Sequence, residues 1–159
     1  MKKILLEWFS LLTHPQKGFV RVKKKTLESV LGEYMKVLLL AGFVAGLTVC
    51  VSYLVRAAYF SLVRGVDIEY LRLVNYALGM AAGTFFFWLF AGTVLFFVAV
   101  LIFRVFIPAS LSDRVKFMSV STAPVLFFGW ITPSIVPVLL VWSMVLLFGS
   151  FSARSNFRQ

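Results

Sequence analysis

The side chains that could carry out chemistry are few in this sequence of 159 residues, and they lie far apart. His14 is the single histidine and Cys50 the single cysteine, so the chain can form no internal disulfide and lacks the ligand spacing of a zinc site. Asp67 and Glu69 are two residues apart and would point to different sides of a helix, while Asp113 lies in a predicted loop. We therefore expect these carboxylates to be solvated, and we expect no enzyme activity, no cofactor and no metal site.

A proline-rich stretch, STAPVLFFGWITPSIVP, offers the other place for a functional site. Pro124 has no N–H to donate to the carbonyl of Val120, which predicts a kink there. Hydroxyl groups beside the kink belong to Ser119, Ser121 and Thr122. In a transporter, such a break can turn backbone groups toward a substrate at the middle of the membrane. In an ordinary bundle, hydroxyls or a neighbouring helix satisfy the freed carbonyl and the kink shapes the packing, and we favour this second interpretation.

The composition places the chain in a membrane. Hydrophobic residues make up 61% of it and aromatic residues 17%, which would leave a water-soluble domain of this size without a polar surface. The sequence therefore predicts an all-α integral membrane protein. The net charge of +10 lies outside the apolar runs, which predicts contact with anionic lipid headgroups and no nucleic-acid partner.

Stretches without charge locate four transmembrane helices. A hydrocarbon core of roughly 30 Å takes about 20 helical residues. The 37 residues between Lys116 and Arg154 would form a helix of roughly 55 Å, so they must fold back. Pro133 and Ser134 supply the turn, and Pro137 falls in the first turn of the helix that follows. The predicted spans are about 37–55, 79–103, 115–131 and 135–151.

The basic residues fix the predicted orientation of these spans. Thirteen of the 16 lysines and arginines fall on one side of the membrane if the N-terminus is cytoplasmic, in agreement with the positive-inside rule. We expect a multi-pass protein of the cell membrane with both termini in the cytoplasm. The predicted organisation is a cytoplasmic amphipathic helix and basic arm (1–36), a four-helix transmembrane domain (37–151) and a cytoplasmic tail (152–159).

The N-terminal stretch resembles a signal peptide, but Glu7 interrupts its apolar core and no cleavage site follows, so we expect it to be retained. It forms an amphipathic helix whose apolar face either lies in the membrane interface or packs on the bundle. That face contains Ile4, Leu5, Trp8, Leu11 and Leu12. The residues predicted to bind anionic lipid headgroups follow it: Lys17, Arg21, Lys23, Lys24 and Lys25.

Small residues four positions apart predict where the helices approach closely. The pairs are Gly42 with Gly46, Gly79 with Gly83, and Ser119 with Ala123. Other membrane proteins, or a second copy of the chain, are the expected protein partners. Between the first two spans, Gly65 should end one helix and Asp67 should cap the next, on which Glu69 and Arg72 can pair.

Three motifs, HPQKGF, SVSTAPVLFFGWI and LLVWSMVLLFG, resemble the Yip family of Ypt/Rab-interacting membrane proteins in its short prokaryotic form. The resemblance implies a small multi-span helical protein with a cytoplasmic N-terminus, and Pro15, Phe19 and Pro124 would be its motif residues. Eukaryotic members associate with Rab-type GTPases, but this chain lacks their long acidic domain and Asp-Leu-Tyr-Gly-Pro segment, which leaves a GTPase partner in doubt. We expect a membrane scaffold or interaction protein, and the alternative is a small passive channel or transporter with a site at Pro124.

Overall fold

Seven α-helices and no strand make up the part of the chain that the structure describes. The computed structural model describes residues 2–65, 67, 69–106, 110–131 and 135–155, without the side chains of 2, 3, 11, 13, 15–19, 102, 103, 105, 106 and 147–155. The helices are α1 (Lys2–Thr13), α2 (Pro15–Lys24), α3 (Leu27–Arg64), α4 (Tyr70–Phe106), α5 (Leu111–Ser121), α6 (Ala123–Phe128) and α7 (Val136–Ser155). The prediction of an all-α protein is confirmed for these residues.

Among the described residues, two helices are long and apolar enough to cross a membrane: Leu27–Arg64 and Tyr70–Leu101. The first contains the predicted span 37–55, and the second contains residues 79–101 of the predicted span 79–103. With 38 residues, α3 is about 57 Å long, so it would extend past a hydrocarbon core of about 30 Å. It also runs without interruption across the predicted boundary at residue 36. The apolar part of α7 described with its side chains, Val136–Leu146, is shorter.

Helices α3 and α4 form an antiparallel hairpin. Near the connection, the rings of Tyr53 and Tyr76 lie 5.4 Å apart. At the far end, the Tyr34 hydroxyl donates to the carbonyl of Gly92 at 3.0 Å. The Thr26 hydroxyl accepts from the Ser29 N–H at the start of α3. Gly65 ends α3 with a φ of 63°, the left-handed conformation that favours glycine, as predicted.

Glycines bring the two long helices into close contact. A Cβ at Gly46 would lie 2.7 Å from the carbonyl oxygen of Ala81, and one at Gly42 would lie 3.3 Å from the ring of Phe85. Gly92 faces Leu38, whose Cδ1 would be 2.5 Å from an added Cβ. A larger side chain at Gly46 would meet backbone and push the helices apart, whereas the flexible Leu38 side chain could move aside for one at Gly92.

The core lies beside the first half of α3. Buried residues of this helix end at Gly46, and none of the described residues 47–64 is buried. Both α5 and α6 pack against α3, while α5 also contacts α2, α4 and α7. The hairpin therefore has a densely packed end beside the other helices and a sparsely covered end near Gly65.

The predicted third span is divided into two helices. It begins earlier than residue 115, because the Ser110 hydroxyl accepts from the Asp113 N–H at 3.1 Å and caps α5. The prediction that Asp113 lies in a loop is wrong, since it occupies the first turn of α5. The division falls at Thr122, and Pro124 is near the start of α6. The predicted turn residues Pro133 and Ser134 lie outside the described residues, and α7 begins at Val136.

Candidate functional site

An ion cluster joins α1 and α3 through the residue that follows α2. The ammonium of Lys25 lies 3.0 Å from Oε2 of Glu7, and 2.7 Å and 2.9 Å from the two carboxylate oxygens of Glu33. The indole N–H of Trp8 donates to Glu33 Oε2 at 3.3 Å. We call these four residues the Lys25 cluster.

The Lys25 cluster is half-buried, so its partners influence one another more than surface charges would. Burial lowers the pKa of Lys25, but hydrogen bonds and charge attraction from Glu33 and Glu7 outweigh it, and the pKa is raised above its ordinary 10.5. Lys25 is therefore a cation at neutral pH. Its charge is shared by two carboxylates, which distinguishes it from Arg21, Lys23 and Lys24 within the described part of the chain.

The predicted apolar face of α1 packs on the bundle. Trp8 is only 2% exposed, and its ring lies 6.4 Å from that of Tyr34. Ile4, Leu5 and Leu12 pack against the same core. The fifth predicted member of the face, Leu11, has a side chain outside the described residues. The bundle thus covers the described part of this face.

Other apolar side chains of α1 and α2 are exposed. Leu6 is 61% exposed, and Phe9 and Val20 are each 50% exposed. The headgroup-binding candidates Arg21, Lys23 and Lys24 are exposed as well. We call these six exposed residues of α1 and α2, taken together, the N-terminal platform. The side chains of Lys17 and of the motif residues Pro15 and Phe19 lie outside the described residues, although the backbone places Pro15 as the first residue of α2.

At the predicted kink, the hydroxyl groups bond to the backbone of their own helix. Ser119 donates to Val115 O at 2.8 Å, Ser121 to Met118 O at 3.1 Å, and Thr122 to Ser119 O at 2.8 Å. Ser119, Ser121, Ala123 and Pro124 are all buried. The donors that a midplane transport site would use are therefore already engaged.

A cavity lies elsewhere, between α3, α4, residues 129–131 that follow α6, and the first residue of α7. Its volume is about 420 Å³. Its lining consists of Ala45, Thr48, Val49, Ser52, Tyr53, Arg56, Thr84, Phe87, Trp88, Gly129, Trp130, Ile131 and Val136. Pro124 and the three hydroxyl residues beside it are not among them.

The predicted small-residue pairs have different surroundings. Gly42 and Gly46 face α4, and Ser119 and Ala123 are in the core. A Cβ at Gly79 or Gly83 would meet nothing within 4 Å in the described structure. Gly79 and Gly83 therefore contact no other described helix. That they pack against a helix stays a prediction, and the helix would have to come from a partner.

Sequence reasoning missed Glu33 and Arg114. Glu33 lies one turn from the buried Val30 and next to the buried Tyr34. Its position on this face of the helix was the signal that could have identified it. Arg114 is the second: its Nε and Nη1 are buried and have no hydrogen-bond partner in the described part of the chain.

Groups of three or more His, Cys, Asp or Glu side chains that could hold a metal ion are absent from the described residues. The chain matches no family model, and comparison with curated proteins and with solved structures gave no match.

Proposed function

We propose that this chain is a multi-pass integral membrane protein that acts as a scaffold or interaction protein, without catalysis, and that the N-terminal platform is its contact surface on the cytoplasmic side. The observation that carries the proposal is the Lys25 cluster. It joins α1 and α3 by charge-assisted hydrogen bonds, which are stronger than neutral ones. A platform joined in this way presents its basic and apolar side chains in a fixed arrangement.

The exposed surface of the long helices supports the membrane placement. Phe86, Phe87 and Phe90 on α4 are exposed, as are Leu54 and Leu62 on α3. Apolar side chains of this size in such numbers require lipid or a protein partner around them. In the proposed arrangement all four predicted spans cross, with α5 and α6 together forming the third.

The N-terminal platform suits the membrane interface. Basic side chains attract anionic headgroups, while Leu6, Phe9 and Val20 offer apolar surface to the region below them. The proposal combines both interpretations of α1, because one face packs on the bundle and another meets the interface. It also agrees with the resemblance to the Yip family, which implies a cytoplasmic N-terminus.

A transport site at Pro124 is the rival function, and the engaged hydroxyls argue against it. Replacing Pro124 with Ala restores a donor toward the Val120 carbonyl and should straighten the junction of α5 and α6. We expect the variant to change stability in detergent and to leave the solute permeability of proteoliposomes unchanged. A solute flux that the wild type supports and Pro124→Ala abolishes would overturn the scaffold proposal.

The topology can be tested in sealed cells with a Cys50-free chain. A single cysteine at Gly65 should react with an impermeant thiol reagent from outside, whereas one at Ser155 should not. Labelling at Ser155 would contradict the proposed orientation.

The interaction role needs a separate test in native membranes. A photo-crosslinking residue at Leu6 should form a discrete protein adduct, and the same residue at Leu62, on the opposite end of the hairpin, should not form that adduct. Adducts with lipid alone at Leu6 would reduce the platform to a membrane anchor and contradict the interaction role.

A further inference from the structure

We propose that the cavity between α3, α4, residues 129–131 and Val136 binds one phospholipid, with its phosphate group at Arg56 and an acyl chain directed toward Ala45. This inference rests on the proposed membrane placement. The cavity volume of about 420 Å³ lies in the range of roughly 300–1,000 Å³ that ligand pockets occupy.

The shape of the cavity follows one face of α3. Its lining residues on this helix recur every three or four positions from Ala45 through Val49 and Ser52 to Arg56. Eleven residues separate the two ends, which is about 16 Å along a helix. The groove is therefore elongated along the helix axis, as an extended chain requires.

The ends of the groove differ in polarity. Arg56 lies at one end, one turn from Ser52, and Ala45 at the other with Trp88 and Gly129 among the apolar lining residues. No aspartate or glutamate is present in the described lining, and Arg56 forms no ion pair within the described part of the chain. An anionic headgroup complements this charge, and a cationic amphiphile does not.

Two of the hydroxyl groups that line the groove are engaged by backbone carbonyls of their own helices. Thr48 donates to Val44 O at 2.9 Å, and Thr84 donates to Met80 O at 2.8 Å. Their methyl groups and the rings of Phe87 and Trp130 contribute apolar surface. A sugar or other polar solute would find these two donors occupied, whereas an acyl chain needs none.

The position of Arg56 also suits a headgroup. It directly follows the predicted span 37–55, where the chain would leave the hydrocarbon core. An arginine at that depth meets phosphate groups of the bilayer, and its guanidinium binds phosphate with paired hydrogen bonds. The acyl chain would then extend from the headgroup toward the membrane interior.

The test is native mass spectrometry of the full chain, extracted in detergent and titrated with phosphatidylglycerol. Arg56→Gln should lower retention of the first lipid about tenfold, which corresponds to about 1.4 kcal/mol. The matched control is Arg64→Gln, because Arg64 lies on the same helix, contacts the ring of Phe60 and does not line the cavity. Ser52→Phe should fill the groove and lower retention as well, and circular dichroism of each variant checks its helix content.

Equal retention in Arg56→Gln and Arg64→Gln would overturn the proposal, because the lipid would then be bound without a specific site. Displacement of phosphatidylglycerol by millimolar inorganic phosphate would also overturn it, since the ligand would be a soluble anion. Diacylglycerol, which lacks the phosphate, should be retained as weakly by the wild type as phosphatidylglycerol is by Arg56→Gln.

Failure of the membrane placement has a different signature. A wild-type chain that stays dispersed and helical in buffer without detergent would contradict the proposed function itself. Detergent-dependent protein that retains lipid equally in both arginine variants would contradict only the lipid site.

Discussion

Removing the cation of the Lys25 cluster should detach α1 from the bundle. Lys25→Met keeps most of the side-chain length but leaves two carboxylates close together, with Trp8 as the one donor the cluster retains for Glu33. The Lys25 side chain is 26% exposed and that of Glu33 is 15% exposed. The cluster is thus intermediate between surface pairs, worth about 0–1 kcal/mol, and buried pairs, where loss of one partner costs about 3–5 kcal/mol.

We therefore expect Lys25→Met to destabilise the docking of α1 by about 2 kcal/mol, which raises the open population about 30-fold. Hydrogen exchange of the α1 amides in nanodiscs measures this opening directly, without global unfolding. Lys24→Met is the matched control, because Lys24 is exposed, and it should change exchange by less than about threefold. A double-mutant cycle of Lys25→Met with Glu33→Gln should show that the two effects are not additive. Equal exchange in Lys25→Met and Lys24→Met would refute the reasoning that the cluster holds α1 in place.

Three further predictions concern packing, buried charge and pH. Gly46→Ala should destabilise the hairpin by about 1–3 kcal/mol in detergent unfolding, because the new Cβ meets the Ala81 carbonyl. The control Gly83→Ala should be neutral or stabilising, and equal effects of the two variants would contradict the close approach at Gly46. Arg114→Met should stabilise the chain by about 1–3 kcal/mol, since it removes two buried donors without partners, and a loss of stability in the same assay would show that they are satisfied. Because the pKa of Lys25 is raised on folding, the stability that Lys25 contributes is fully present below pH 10.5 and is lost as pH rises through the raised pKa. In a variant without the other tryptophans, acrylamide quenching of Trp8 should therefore stay low from pH 7 to 9 and increase only above pH 10.5. An increase that is complete by pH 9 would contradict the assignment.

Local sequence signals predicted much of the fold. Gly65 ends α3 because only a residue without Cβ accepts its φ of 63° at little cost. Glu69 and Arg72 form the predicted pair at 3.2 Å, because they are three residues apart at the start of α4. The prediction that Asp67 caps this helix is wrong, since α4 begins at Tyr70. The predicted start of the third span was less accurate. Ser110 caps α5 and starts the helix before the charged residues that had indicated a loop.

Contacts between distant parts of the chain could not be predicted in the same way. Lys25 has its partners 18 and 8 residues away, and no periodic pattern connects these positions. Gly92 has no small residue four positions from it, and its close approach to Leu38 depends on how the hairpin is aligned. The cavity could not be predicted for the same reason, because its lining residues come from separate segments of the chain.

The distribution of polar contacts links these findings to function. Ser119, Ser121 and Thr122 use their hydroxyls on the backbone of α5, and Thr48 and Thr84 do the same in the long helices. Such bonds satisfy polar groups where water is absent, and they leave those donors unavailable to a solute. The charged side chains of the Lys25 cluster instead lie at the densely packed end, outside the predicted spans. The proposed function therefore assigns packing and lipid contact to the described parts of the predicted spans, and selective contact with other molecules to the N-terminal platform and to Arg56 at the cavity.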